Sequence, residues 1–210
     1  MSSSLLDLRN VSVQRGDRLA LNQLTLSIQR GEHVAILGPN GSGKSTLIKT
    51  ITRESYPLLR PEMSFEILGQ SSWNIFDLRS QIGVVSNDLM AACTRDITGR
   101  ELVLSGFFGS VGLHAHLQVT PEMEETADRV MHSLDTTRLA NRWLDELSSG
   151  EARRLLIARA LIHHPHTLLL DEPTTSLDLA ALHELRGYMS GLAQSGVGLL
   201  LVTHHLDDII

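Results

Sequence analysis

The residues most able to do chemistry form a glycine-rich loop. The stretch from Gly38 to Ser45 reads G-P-N-G-S-G-K-S and fits the pattern G-x-x-x-x-G-K-[S/T] at every fixed position. Backbone N–H groups of such a loop close around phosphate oxygens, and the helix that follows adds its positive dipole end. We expect Lys44 to reach the β- and γ-phosphates and the Ser45 hydroxyl to bind Mg²⁺. The loop predicts a nucleoside triphosphate site, with contacts from Gly38, Asn40, Gly41, Ser42, Gly43, Lys44, Ser45 and Thr46.

Two carboxylates follow an apolar run in the last quarter of the chain. Three leucines lead directly into Asp171 and Glu172. A buried strand of this kind can present Asp171 beside the loop, where the carboxylate would bind Mg²⁺. Glu172 lies at the edge of the same site, so it is the natural general base for an attacking water.

A second anion site is indicated by the stretch L-S-S-G-E at residues 147–151. Ser148 and Glu151 have the spacing of a capping box, in which a serine and a glutamate close the start of a helix. A plain helix cap explains this stretch when it is taken alone. Because a phosphate loop precedes it and two carboxylates follow it, we favour an anion site formed by Ser148, Gly150 and free backbone N–H groups.

The elements that must position these residues indicate an α/β fold. Residues 33–37 form a short continuous apolar run, which predicts a strand buried on both faces. Further strands are expected at 64–68, 82–85, 167–171 and 197–203, and helices at 44–52 and 179–193. Apolar residues alternate with polar ones before residue 29, which predicts paired strands. The spacing of caps predicts helices that begin near Thr98, Thr120 and Ser148.

These expectations combine into a P-loop core with a mainly parallel sheet and flanking helices, an N-terminal antiparallel β portion and a helical subdomain. We expect one domain over residues 1–210, with 1–86 and 161–210 as the α/β core and 87–160 as the helical subdomain. The composition agrees with a globular chain, since 42% of its 210 residues are hydrophobic and 20% are charged. The net charge of −6 argues against sequence-independent binding of nucleic acid. With Cys93 as its single cysteine, the chain forms no internal disulfide.

On these motifs the chain resembles the ATP-binding cassette (ABC) ATPases over essentially its whole length. Residues 147–151 look like the signature sequence, residues 176–178 look like the D-loop, and His204 looks like the switch histidine. The resemblance implies that two cassettes pair head to tail, with each ATP between the P-loop of one and the signature of the other. Ser148 and Gly150 would then act in trans on the γ-phosphate. Asp178 would line the interface, and His204 would hold the γ-phosphate and water.

Two positions differ from the family pattern, and in the signature Ser149 and Glu151 replace Gly and Gln. Arg15 stands where the family has an aromatic residue that stacks on adenine, so the base would meet a guanidinium plane or nothing. Asn87 stands where the family has the Q-loop glutamine. Its amide is one methylene shorter, so its contact with Mg²⁺ or water can be water-bridged rather than direct.

The resemblance implies an ATP hydrolase that uses Mg²⁺, in a homodimer or paired cassette, with an integral membrane permease as partner and no nucleic acid. It would be cytoplasmic and peripheral at the inner face of the membrane. Residues 102–116 are similar to the same region of cassettes of molybdate or metal-chelate uptake. A soluble cassette in regulation, translation or repair is the alternative; a non-hydrolysing ATP sensor is a third, although Glu172 and His204 count against it. The family continues beyond the switch histidine, so we expect a truncated C-terminus.

Overall fold

The computed structural model describes residues 4–93 and 96–206, and in these the chain forms two β-sheets with helices around them. The strands are β1 (Ser4–Arg15), β2 (Arg18–Gln29), β3 (His33–Leu37), β4 (Ser64–Ile67), β5 (Ile82–Val85), β6 (Thr167–Asp171) and β7 (Gly198–Thr203). The helices are α1 (Lys44–Ile51), α2 (Ile75–Gln81), α3 (Asn87–Ala92), α4 (Gly99–Leu104), α5 (Pro121–Ser133), α6 (Ser149–Leu161) and α7 (Leu179–Gln194).

The N-terminal strands form an antiparallel sheet in the order β2-β1-β4. Strand β1 pairs with both of its neighbours, and its apolar residues Leu6 and Leu8 are fully buried. The antiparallel β portion predicted from the alternating pattern is therefore confirmed.

The other four strands form a parallel sheet in the order β3-β7-β6-β5. The two central strands are continuous apolar runs whose leucines are almost wholly buried, as expected for strands covered on both faces. Because all pairings in this sheet are parallel, its four carboxyl ends lie along one edge. The predicted P-loop core with a mainly parallel sheet is confirmed.

The prediction that β3 is buried on both faces is wrong. His33, Ala35 and Leu37 are exposed, and Leu37 retains 41% of its accessible surface. The reason is topological, since β3 is an edge strand and pairs only with β7 among the described residues. An apolar run of five residues does not distinguish an edge strand from a central one.

Alternate residues of the central strands face two separate hydrophobic cores. Leu169, Leu200 and Val202 pack with α1 and the antiparallel sheet. Leu168, Leu170 and the remaining leucines of β7 pack with the helices between β5 and β6. The parallel sheet is thus the layer between the β portion and the helical portion.

Three helices of the helical portion begin where the sequence predicts. Thr98 and Glu101 form a complete capping box at the start of α4, and Ser148 and Glu151 form another at the start of α6. The side chain of Thr120 caps α5, in which Pro121 occupies the first turn.

In the described part of the chain no helix is both long and apolar enough to cross a bilayer. The helix expected to begin at residue 206 falls mostly on residues 207–210, outside the described residues.

Candidate active site

The candidate catalytic residues meet at the carboxyl edge of the parallel sheet. The glycine-rich loop follows β3, His204 follows β7, Asp171 ends β6 and Glu172 comes next, and Asn87 lies just after β5. Each neighbouring strand in the order β3-β7-β6-β5 therefore delivers one part of the site. Ligands of open α/β sheets bind at this edge of the strands.

The glycine-rich loop has a backbone conformation and a close packing that residues with side chains would not permit. Gly41 and Gly43 have φ values of 81° and 98°, which glycine adopts without strain. A Cβ atom on Gly43 would lie 2.4 Å from the carbonyl oxygen of Ala20 on β2. The loop is thereby packed against the β1–β2 hairpin, and its N–H groups lead into the first turn of α1.

Lys44 is the buried charge of this loop. Only 8% of its surface is accessible, and its Nζ donates hydrogen bonds to the carbonyl oxygens of Gly38 at 2.7 Å and Pro39 at 3.0 Å. The ammonium group thus lies within the curve of the loop. Those two carbonyls hold its charge where phosphate oxygens would bind.

Ser45 and Thr46 differ in what they can offer. The Ser45 side chain is exposed beside the loop, and a hydroxyl there suits Mg²⁺, which prefers oxygen ligands. Thr46 is 5% exposed, so its contribution to a phosphate site is limited to its backbone N–H in the first helical turn. Asn40 is exposed at the tip of the loop.

The Asp171 carboxylate is held in a site that disfavours its negative charge. Burial, followed by the negative charges of Glu172 and Asp88, raises the pKa of Asp171 to about 6, although Lys44 and Lys49 act in the opposite direction. A bound cation would relieve this penalty. The oxygen donors of Asp171 and Ser45 therefore fit Mg²⁺.

Glu172 and His204 contact each other directly. Oε1 of Glu172 lies 3.0 Å from Nδ1 of His204. The Glu172 backbone has a positive φ of 48°, and its N–H donates to the carbonyl of Val202 on β7 at 2.8 Å. Backbone and side chain together fix the carboxylate at the edge of the sheet.

Asn87 lies at the same edge of the parallel sheet, and its side chain is already hydrogen-bonded. Its Oδ1 accepts a hydrogen bond from the Arg153 guanidinium at 2.8 Å. Its neighbour Asp88 forms an ion pair with Lys49 of α1 at 2.6 Å. Sequence reasoning missed Lys49, Asp88 and Arg153 as parts of the site. The position of Lys49, one helical turn after Ser45, was the one local signal.

The residues of the predicted second anion site lie against the segment that leads into α7. Ser148 caps α6 and exchanges hydrogen bonds with Glu151. Ser149 donates to the carbonyl of Ser176 at 2.9 Å, and a Cβ on Gly150 would lie 2.7 Å from that of Ala181. Within residues 4–93 and 96–206, no hydrogen bond or ion pair joins Ser148 or Gly150 to the glycine-rich loop.

Asp178 and Arg15 are the remaining predicted site residues, and both are exposed. The Asp178 carboxylate caps α7 by accepting from the N–H of Ala181 at 2.8 Å. Arg15 ends β1 at the tip of the hairpin, opposite Arg18. The same hairpin contacts the glycine-rich loop at Ala20, so Arg15 belongs to an element that borders the phosphate site.

Comparisons with known proteins agree with this arrangement. A sequence model of the ABC transporter family matches residues 21–175. The chain is 35% identical over 207 residues to the ABC transporter ATP-binding protein ModF of Escherichia coli, covering 96% of this chain and 41% of that protein. It is 34% identical to Nod factor export ATP-binding protein I of Burkholderia orbicola, covering 99% of this chain and 65% of that protein. The chain therefore spans less than two thirds of either relative.

A solved structure gives the same result for the fold. The dimeric structure of MJ0796, a bacterial ABC transporter cassette, superposes with a TM-score of 0.76 at 28% identity. The alignment covers 97% of this chain and 89% of that one. Both the β portion and the helical portion are thus within the matched region.

Proposed function

Because the chain belongs to the ABC transporter family of ATP-binding proteins, we propose that it binds ATP with Mg²⁺ and hydrolyses it to power transport. The observation that carries this proposal is the convergence of Lys44, Asp171 and Glu172 at one edge of the parallel sheet. A phosphate-binding lysine, a magnesium-binding carboxylate and a general base are the groups that hydrolysis of a γ-phosphate requires.

In the proposed reaction, each residue has one task. Lys44 and the loop N–H groups bind the phosphates, while Ser45 and Asp171 bind Mg²⁺, which neutralises the developing charge. Glu172 accepts the proton of the attacking water as the new O–P bond forms and the bond to the β-phosphate oxygen breaks. His204, in contact with the Glu172 carboxylate, holds it toward the water.

A head-to-tail pair of chains completes the proposed site. Ser148 is exposed at the start of α6 and Gly150 lies half-buried in the first turn of that helix, and among the described residues neither bonds to the glycine-rich loop of its own chain. A helix start with free N–H groups suits the γ-phosphate of an ATP bound to a second chain. Asp178 is exposed beside this turn, as an interface residue would be.

We further propose that a membrane permease docks beside this site and that the protein works on the cytoplasmic side of the membrane. A cavity of about 300 Å³ lies next to Asp171 and is lined by α1, α2 and the helical portion. Its walls combine apolar Ile48, Leu78 and Val111 with charged Arg79. A permease segment docked in this cavity would contact both the α/β core and the helical portion. Closure of the dimer would therefore displace the docked segment. Whether the cargo is molybdate-like or a metal chelate is decided by such a partner.

The test of hydrolysis is phosphate release by the purified protein, with Mg²⁺ and with EDTA. We expect saturable, magnesium-dependent release that Lys44→Ala abolishes, because no other cation replaces the buried ammonium in the loop. Thermal unfolding of Lys44→Ala is the control that shows that the variant is folded. Unchanged release by Lys44→Ala would contradict the proposed phosphate site.

The test of the transport role is co-purification of the full-length protein from detergent-solubilised membranes. We expect an integral membrane protein to elute with it, and Val111→Arg to reduce its recovery. Recovery without any membrane protein would instead favour the soluble cassette that acts in regulation, translation or repair.

A further inference from the structure

Helix α3 is held from two sides through adjacent residues. Asp88 pairs with Lys49 of α1, the helix that follows the phosphate loop. Asn87 accepts a hydrogen bond from Arg153 of α6, the helix that begins at the signature turn. No residue of α3 is fully buried. These two polar contacts attach α3 to α1 and α6, while its partly buried Leu89 and Met90 pack against the hydrophobic core of the helical portion.

Arg153 is an unusual partner because it is a buried cation with unused donors. Only 4% of its surface is accessible, and its Nε and one terminal nitrogen have no hydrogen-bond partner among the described residues. The contact with Asn87 engages the other terminal nitrogen. A buried cation with so few acceptors depends on each of them, because losing one leaves a desolvated charge unpaired.

The next residue along the helix provides a natural comparison. Arg154 is also buried, at 7% exposure, but its guanidinium contacts Tyr188 at 3.0 Å and Glu184 at 3.4 Å on α7. Arg153 thus bonds to α3, whereas Arg154 bonds to α7. Of the pair, Arg153 is the one that reaches the carboxyl edge of the parallel sheet.

The oxygen that Arg153 holds is the atom that a metal ion would need. An asparagine side chain has a single carbonyl oxygen, and Mg²⁺ binds oxygen ligands in a strict octahedron. A guanidinium beside that oxygen also repels a second cation. The two uses of the Asn87 oxygen are therefore in competition.

Resting on the proposed function and on the expectation that Asn87 contacts Mg²⁺, we propose that Arg153 is a positioning residue for Asn87. In the nucleotide-free protein it holds the amide oxygen of Asn87 on helix α6, and this hydrogen bond is released when the oxygen turns to the Mg²⁺ of bound ATP.

The first test is a magnesium titration of ATP binding, followed with a fluorescent ATP analogue. Arg153→Met frees the Asn87 oxygen, so we expect the Mg²⁺ concentration at half-saturation to fall about three- to tenfold, the effect of one charge-assisted hydrogen bond. In the Asn87→Ala background the same arginine substitution is expected to change this concentration less than about twofold, because the shared contact is already gone.

Two variants control for other effects of removing a buried arginine. Arg154→Met removes an equally buried guanidinium that does not contact Asn87, so the magnesium midpoint is expected to stay at the wild-type value. Arg153→Lys retains a cationic donor and is expected to restore most of the wild-type behaviour. Circular dichroism and thermal unfolding establish that each variant is folded.

The second test uses the empty protein and needs no turnover. Amide hydrogen exchange of residues 86–93 is expected to be faster in Arg153→Met and in Asn87→Ala than in the wild type, and unchanged in Arg154→Met. Asn87 is only half-buried, so Asn87→Ala decides this point even if Arg153→Met does not fold.

Equal magnesium shifts with and without Asn87, or no shift with Asn87 present, would overturn the proposed role of Arg153. So would unchanged exchange in α3. A wild-type protein that binds no ATP would overturn the proposed function and the release by Mg²⁺ with it. The exchange measurement on the empty protein separates that failure from loss of the Arg153–Asn87 contact itself.

Discussion

The imidazole Nδ1 of His204 lies 3.0 Å from Oε1 of Glu172, although 32 residues separate the two in the chain. They meet because β6 and β7 are parallel neighbours that end at the same edge of the sheet. Both side chains are about three-quarters buried, with 28% and 24% of their surface accessible. The contact with His204 thus restrains the Glu172 side chain. The proposed role of this side chain as general base can be tested by measuring hydrolysis.

Glu172→Gln is expected to bind ATP normally and to hydrolyse it about 10²–10⁴-fold more slowly, because an amide cannot accept the proton of the attacking water. The substitution keeps the size of the side chain and its hydrogen bond to His204. Single-turnover hydrolysis measures the rate, and equilibrium binding of ATP supplies the control. Full turnover by this variant would show that the general base lies elsewhere.

Asp171→Asn is expected to stabilise the nucleotide-free protein at pH 7 in EDTA. The pKa of Asp171 is about 6 in the folded chain and ordinarily 3.8, so the folded state disfavours the ionised carboxylate. The resulting destabilisation is absent well below pH 4, develops as the pH rises from about 4 to about 6 and is complete above that. The melting temperature of Asp171→Asn should exceed that of the wild type at pH 7 and approach it near pH 4. A lower melting temperature for the variant at pH 7 would contradict this account.

Gly150→Ala is expected to destabilise the protein, although alanine in a helix is ordinarily favoured over glycine by about 1 kcal/mol. The added Cβ would lie 2.7 Å from the Cβ of Ala181, so the start of α6 must move away from α7. Chemical denaturation measures the sign of the change. The matched variant is Gly150→Ala with Ala181→Gly, in which the contact is removed and stability should recover. A stabilised single variant would show that the two helices part easily.

The sequence predicted those parts of the molecule that depend on near neighbours in the chain. The phosphate loop, the paired carboxylates and the caps at Thr98, Thr120 and Ser148 involve residues within a few positions of one another. Turns and caps are set by side chains that bond to adjacent backbone, so their residue types and spacing carry the information.

The features that sequence reasoning missed depend on distant pairings. Arg153 and Asn87 are 66 residues apart, and nothing in either neighbourhood indicates that they meet. The edge position of β3 is likewise decided by which strands pair, because its apolar residues suit a central strand equally well. Contacts of this kind are determined by topology rather than by local pattern.

A mixing experiment tests whether two chains share each site. One chain carries Lys44→Ala and loses its phosphate loop, and the other carries Ser148→Arg and loses its signature turn. In a head-to-tail pair of these two chains, one site combines both defects while the other combines an intact loop with an intact turn. Neither variant should hydrolyse ATP alone, and an equal mixture should recover roughly a quarter of the wild-type rate, since half of randomly formed pairs are mixed and each has one working site.

The control for the mixing experiment replaces the Ser148→Arg chain with one that carries both substitutions. Every phosphate loop is then defective, so no activity should return. Ser148 is exposed and its cap contributes only about 1 kcal/mol, which makes loss of the fold a poor explanation for inactivity of Ser148→Arg. Sites built within a single chain predict a different result: Ser148→Arg would remain active alone, and mixing would give only the average of the two separate rates. Phosphate release measured at several total protein concentrations distinguishes these outcomes, because only a shared site requires the chains to associate.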